Sequence, residues 1–118
     1  MTLDDFFAGH IESRQIFEAL RQAVGQTGPA ALTISKSQVS FRRKTVFARA
    51  WIPKVYLRRK AAPLVLTLSF RWRDPSPRWK EIVEPVPGRF THHLELYSSA
   101  DIDDQVRGWL REAWDAAA

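Results

Sequence analysis

Residues 92–95 read His-His-Leu-Glu, and they hold two of the three histidines of the chain. Neighbours in a strand point to opposite faces, so His92 and His93 cannot grip one metal ion side by side. His93 and Glu95 share a face about 7 Å apart. A metal site would need a third ligand, and His10 is the only other imidazole. Hydrogen bonding of one imidazole to a bound anion suits this pair better. Nucleophilic catalysis could recruit Ser37, Ser40, Ser69, Ser98 or Ser99 with a histidine. There is no G-x-S-x-G turn, and glycines at 9, 25, 28, 88 and 108 make no phosphate-cradling loop. Carboxylates are too sparse in the middle of the chain for two-metal phosphoryl transfer. With no cysteine, thiolate zinc, iron–sulfur clusters, disulfides and a thiol nucleophile are excluded. No cofactor and no metal are expected, and the balance leans away from an enzyme.

A second set has more members. Lys36, Gln38, Arg42, Arg49, Trp51, Arg71, Arg73, Arg78, Trp79 and Lys80 combine fork-shaped donors with flat rings. Arginine grips phosphate or carboxylate bidentately, and tryptophan can stack a base. On an exposed sheet such a set makes a platform for single-stranded nucleic acid. Against this stands packing. The chain has five tryptophans, and Trp72, Trp109 and Trp114 fall at core-facing positions. Trp51 and Trp79 could be buried likewise, with arginine stems lying over them.

Charge supports the second set. The net charge is +5 over 118 residues, and it is unevenly placed. Residues 36–89 hold fourteen basic against three acidic side chains, +11, while residues 1–35 carry −2 and residues 90–118 carry −4. A basic middle between acidic ends suits an anionic partner, or equally a solvated basic sheet face partly neutralised by acidic helices.

The elements that must position these residues follow from periodicity. Ser13 is a suitable helix N-cap, and Ile16, Phe17, Leu20, Ala23 and Val24 recur at helical spacing up to Gly25. A helical turn at residues 3–7 brings Phe6 and Phe7 onto the core as a clasp. Strands are expected at 31–35, 37–43, 45–52, 64–73 and 89–97, with Phe47, Arg49 and Trp51 on one face. Tyr56 to Lys60 forms a basic connection. Four prolines between Asp74 and Gly88 define an excursion in which residues 78–83 make one helical turn. Ser98 and Asp101 form a capping box before Ile102, Val106, Trp109, Leu110, Ala113 and Trp114. Short connections imply antiparallel pairing. The expected fold is one α+β domain, residues 1–118, with two layers: a mostly antiparallel sheet of four or five strands flanked by an N-terminal and a C-terminal helix. The longest apolar run, residues 63–69, is far short of the roughly 20 residues of a membrane helix. The start, Met1-Thr2-Leu3-Asp4-Asp5, is acidic where a secretory signal would be basic. A cytoplasmic protein without a membrane partner is expected.

Three separated stretches carry a resemblance. Residues 33–42 read TISKSQVSFR and residues 47–53 read FARAWIP. The third, residues 76–110, contains SPRWKE, PVPGRFTHHLEL and DIDDQVRGWL. In this order they resemble a bacterial family known as domain of unknown function 5655. The resemblance implies a single domain and no particular reaction. It draws attention to Lys36 and Gln38 in K-S-Q, and to Arg78 and Lys80 in S-P-R-W-K.

The leading expectation is a non-catalytic binding module for an anionic ligand, nucleic acid first. The candidate residues are Lys36, Gln38, Arg42, Arg49, Trp51, Arg71, Arg78, Trp79, Lys80, His92, His93 and Glu95. A second reading is a small-anion receptor or enzyme, with His92 or His93, Arg42, Arg78 and Glu95 around a closed pocket. A third is a protein-interaction domain that pairs with itself or with another protein through an open sheet edge or an aromatic patch.

Overall fold

The computed structural model describes residues 1–53 and 61–118. The basic connection from Tyr56 to Lys60 lies outside the described residues. The element order is α1 (Leu3–Phe6), α2 (Ile11–Thr27), β1 (Ala31–Ile34), β2 (Val39–Arg42), β3 (Val46–Trp51), β4 (Leu64–Phe70), β5 (Glu81–Val86), β6 (Arg89–Leu96), a 3-10 turn (Ser99–Asp101) and α3 (Asp104–Ala116). The strands form one open antiparallel sheet in the order β1-β2-β3-β4-β6-β5.

Among the described residues the sheet has six strands, not four or five. The addition is β5, which occupies the stretch expected to be a helical turn. Glu81, Ile82 and Val83 pair with His93, His92 and Thr91, and the Lys80 N–H donates to the His93 carbonyl at 2.8 Å. A one-turn helix closes few hydrogen bonds for the residues it fixes. Pairing with β6 satisfies the same backbone, and a two-residue turn closes the hairpin. Pro87 presets its first position, and Gly88 takes φ +79° at the second. As an edge strand β5 is blunted by a register irregularity between Val83 and Val86, by Pro85, and by Glu81 and Glu84.

Both long helices pack on one sheet face. Ile16, Phe17, Leu20 and Val24 of α2 and Val106, Trp109, Leu110 and Ala113 of α3 meet Val39, Phe41, Leu64, Leu66, Leu68, Phe70, Leu94 and Leu96. Phe7 joins them and lies 5.0 Å from the Phe17 ring, so the N-terminal clasp is present. The α2 N-cap is His10, not Ser13. Ser13 is buried and its hydroxyl donates to the Pro63 carbonyl at 2.6 Å, a tie from helix to chain that spacing alone could not reveal. The Ser98–Asp101 capping box exists but closes the 3-10 turn. Asp103 caps α3 itself, accepting from the Val106 N–H. At the far end of α2, the Trp114 ring packs against Gly28 where a side chain would collide, and its Nε1 donates to the Pro29 carbonyl at 3.0 Å.

Phe47 departs from simple alternation. Phe41 pairs with Ala48 and Arg42 with Val46, which leaves Phe47 as an extra residue in β3. A bulge lets two consecutive side chains turn the same way. Phe47 and Ala48 are accordingly both buried, so Phe47 belongs to the core and not to the face of Arg49 and Trp51. Trp72 moves the other way. β4 ends at Phe70, and Trp72 is 41 % exposed, stacked on Phe70 at 5.1 Å. Among the described residues, no helix is long and apolar enough to cross a membrane.

Candidate anion-binding face

The sheet face away from the helices has its own composition. One row crosses all six strands: Thr33, Ser40, Arg49, Thr67, His93 and Glu81. Beside it runs Trp51, Val65 and Glu95 on three adjacent strands. On the other side Ser69 and Thr91 pair, with Val83 beyond them. Small hydroxyl residues hold the middle of this face and long polar ones surround it.

Two adjoining hollows result. One, of about 400 Å³, is lined by Ser37, Gln38, Arg49, Trp51, Thr67, Thr91 and His93. The other, of about 530 Å³, is bounded by Arg42, Arg49, Arg89, Ser69 and Thr91, with Pro85, Val86 and Phe90 on the hairpin side. They share Arg49 and Thr91. Among the described residues neither is lined by a carboxylate. Among the described residues no acidic group lies within ion-pair distance, 4.0 Å, of Arg42, Arg49 or Arg89. The Arg42 guanidinium does donate to the Lys44 carbonyl at 3.3 Å.

The first hollow is held together by a relay. Trp51 Nε1 donates to the Thr67 hydroxyl at 3.1 Å, and that oxygen lies 2.8 Å from His93 Nδ1. With the indole proton already donated to it, the hydroxyl satisfies all three groups by giving its own proton to Nδ1. The His93 proton then sits on Nε2, a donor. Burial pushes the His93 pKa below the ordinary value, against a smaller upward pull from Glu81. The ring is therefore a neutral donor near pH 7. Trp51 and His93 meet edge to face at 6.3 Å.

The twelve candidates divide. Gln38, Arg42, Arg49, Trp51 and His93 come together at the hollows. Glu95 lies on the same face but is turned to Lys80 at 4.0 Å. Lys36 is exposed in the β1–β2 turn and lines neither hollow. Arg71 is exposed just past β4, facing Arg89 and the end of α3 across a narrow crevice. Three others work on the helix side. Arg78 donates to both Asp103 oxygens at 3.0 and 2.9 Å, to Gln105, and to the Asp101 carbonyl, clamping the start of α3. Trp79 packs against Trp109 at 4.1 Å and donates from Nε1 to Asp74 at 2.9 Å. His92 is fully buried. Of the pocket set, His93, Arg42 and Glu95 share the outer face, whereas Arg78 and the alternative His92 lie on the helix side. Arg89, Thr67 and Thr91 belong to the hollows and were not among the candidates, and Ser37 and Ser69, which also line them, entered only as possible nucleophiles. Arg89 carried a signal: it is the basic residue that follows the Pro87-Gly88 turn.

His92 makes a specific demand on pH. Its Nδ1 lies 3.1 Å from the Phe90 carbonyl and its Nε2 accepts the Asp74 N–H at 3.0 Å. That pattern requires the neutral ring with its proton on Nδ1. Burial lowers its pKa most, opposed by the Phe90 carbonyl and by Asp74. A histidine with a lowered folded pKa contributes stability that is complete above its unfolded value, near 6.5, and is lost as pH falls below it. His93 shifts the same way. The urea midpoint should therefore fall between pH 7.5 and pH 5.5, and the fall should be smaller in His92→Gln. A midpoint indifferent to pH across this window would contradict the assignment.

The fold and the hollows define a class, an α+β module with both long helices on one face of an open sheet and a basic, hydroxyl-rich surface on the other. The chain belongs to the family described as Domain of unknown function (DUF5655), whose model matches residues 3–117. No curated protein and no solved structure shows significant similarity to it.

Proposed function

We propose that the sheet face away from the helices binds an anionic ligand without transforming it, and that nucleic acid is the ligand. The observation that carries this reading is the placement of Arg42, Arg49 and Arg89 around one hollow with no carboxylate partner among the described residues. Clustered cations repel one another. Arg14, Arg21, Arg78, Arg107 and Arg111 each pair with an acidic side chain, whereas Arg42, Arg49 and Arg89 converge on one hollow and suit an external anion. Guanidinium forks on phosphate oxygens give charge-assisted, often bidentate bonds. Hydroxyls of Ser69 and Thr91 line the same floor and add neutral donors. The hollows are open rather than closed, which favours binding over sequestered chemistry.

The test is fluorescence anisotropy of a labelled single-stranded oligonucleotide over a salt series. Three phosphate contacts predict a log–log slope of about −2 for a single strand. Absence of binding at low salt would overturn the proposal.

A further inference from the structure

We infer that the face takes nucleic acid as a single strand, with one base seated in the hollow of Trp51 and Gln38 and the adjoining phosphates in the hollow of Arg42, Arg49 and Arg89. This rests on the anion-binding reading above. It adds a division of labour between two subsites.

The division follows from what each hollow offers. Among the described residues the arginine hollow holds three guanidinium groups and the hydroxyls of Thr45, Ser69 and Thr91 beside an apolar wall of Val46, Pro85, Val86 and Phe90, and it has no indole. The other holds one arginine, an indole, an imidazole, the Gln38 amide and the Thr67 hydroxyl. An indole and an imidazole are suited to a flat uncharged ring, against which they pack, and not to a phosphate. The Gln38 side chain brings a donor and an acceptor together, as the polar edge of a base does, and its Nε2 is only loosely engaged by Ser40 at 3.5 Å. The Trp51 ring is anchored through Thr67, so its position is set before a ligand arrives.

Charge fixes which end is which. Glu81 pairs with His93 across the β5–β6 ladder, and Glu95 shares a row with Trp51. Both carboxylates border the aromatic end, where Lys80 offsets Glu95 at 4.0 Å. Phosphates are disfavoured there and favoured at the Arg42 and Arg89 end. Successive rows on one face stand about 7 Å apart along the strands. The two hollows meet at Arg49 and Thr91, so a base in one and its neighbouring phosphates in the other require one continuous ligand. A duplex cannot supply it, because its bases face one another inside the helix. An unpaired strand presents base and phosphate together.

The test compares four ligands on the intact protein at one low salt concentration: a single-stranded oligonucleotide, the same strand annealed to its complement, a base-less sugar-phosphate chain of equal length, and a nucleoside monophosphate. Stacking worth about 1–3 kcal/mol per base predicts that the strand binds roughly 5- to 150-fold tighter than the base-less chain. The duplex and the monophosphate should also bind at least tenfold more weakly than the strand. Trp51→Leu should remove the difference between strand and base-less chain and leave the salt slope unchanged. Equal affinity for strand and base-less chain, or for strand and duplex, would overturn the single-strand inference while the anion reading stood. A monophosphate that binds as tightly as the strand would also overturn it. Failure of all four to bind would overturn the anion reading and this inference with it. The wild-type comparison decides the matter even if the Trp51 variant does not fold.

Discussion

Trp79→Ala should destabilise the fold by about 3–5 kcal/mol, the usual cost of deleting a large buried aromatic. Trp79 is 8 % exposed and stands among three rings, 4.1 Å from Trp109, 4.9 Å from His92 and 6.1 Å from Phe70. Its Nε1 holds Asp74, whose carboxylate also accepts the Ser76 N–H and whose own N–H donates to His92. One substitution therefore opens a cavity between sheet and α3 and frees the loop leading into β5. A domain typically has only about 5–15 kcal/mol to lose, so the effect should be plain in urea unfolding. Trp79→Phe keeps a ring and loses the hydrogen bond to Asp74, and should cost about 1 kcal/mol beyond the packing change. Neither change touches the hollows, so oligonucleotide affinity of the folded fraction should be unaltered. A Trp79→Ala protein as stable as wild type would show that the ring is not part of the core.

That expectation marks the limit of reading the candidates from composition. Trp51 and Trp79 look alike in sequence, each with an arginine within two positions, Arg49 and Arg78. Alternation places Arg49 and Trp51 on the outer face of β3, and there they are. The stretch around Trp79 has no such rule, because it lies between prolines and its structure comes from Asp74 and from pairing with β6. The same stretch hid the sixth strand. Amphipathic spacing located α2, α3 and β4 because their apolar faces bury directly against one another. Phe47 defeated alternation through a single inserted residue, and Trp72 through a strand that stops three residues early. The His92-His93 pair was correctly split between faces by the period of a strand. Which of them met solvent depended on which face the helices cover. The basic surplus of residues 36–89 was legible as a total and misleading as a place. Arg43 lies 3.4 Å over the Trp114 ring and donates to its carbonyl, while Arg78 holds the opposite end of the same helix. Both are structural. The surplus that remains at the hollows is three arginines, of which β2, β3 and β6 supply one each.

Arg49→Glu should lower affinity for the single-stranded oligonucleotide by about 100-fold at low salt. Among the described residues Arg49 is the one cation that lines both hollows, so in the proposed complex its guanidinium stands between the base and the phosphates. A charge-assisted hydrogen bond is worth roughly 1.5–3 kcal/mol, or about 10- to 150-fold, and the introduced carboxylate adds repulsion. The comparison that gives this meaning is Lys36→Glu. It changes net charge by the same amount at an exposed turn that lines neither hollow. Through screened solvent, with a Debye length of about 8–10 Å, that change should weaken binding only a few-fold. The salt slope should shrink by about one contact in the Arg49 variant and stay nearly constant in the Lys36 variant. Arg49 makes no ion pair with any described residue, so its replacement should leave the urea midpoint close to wild type. If Lys36→Glu and Arg49→Glu weaken binding equally, the strand is held by net charge alone, and the hollows have no part in it. A loss confined to Arg49 ties the basic surplus to one face, where three strands bring it together.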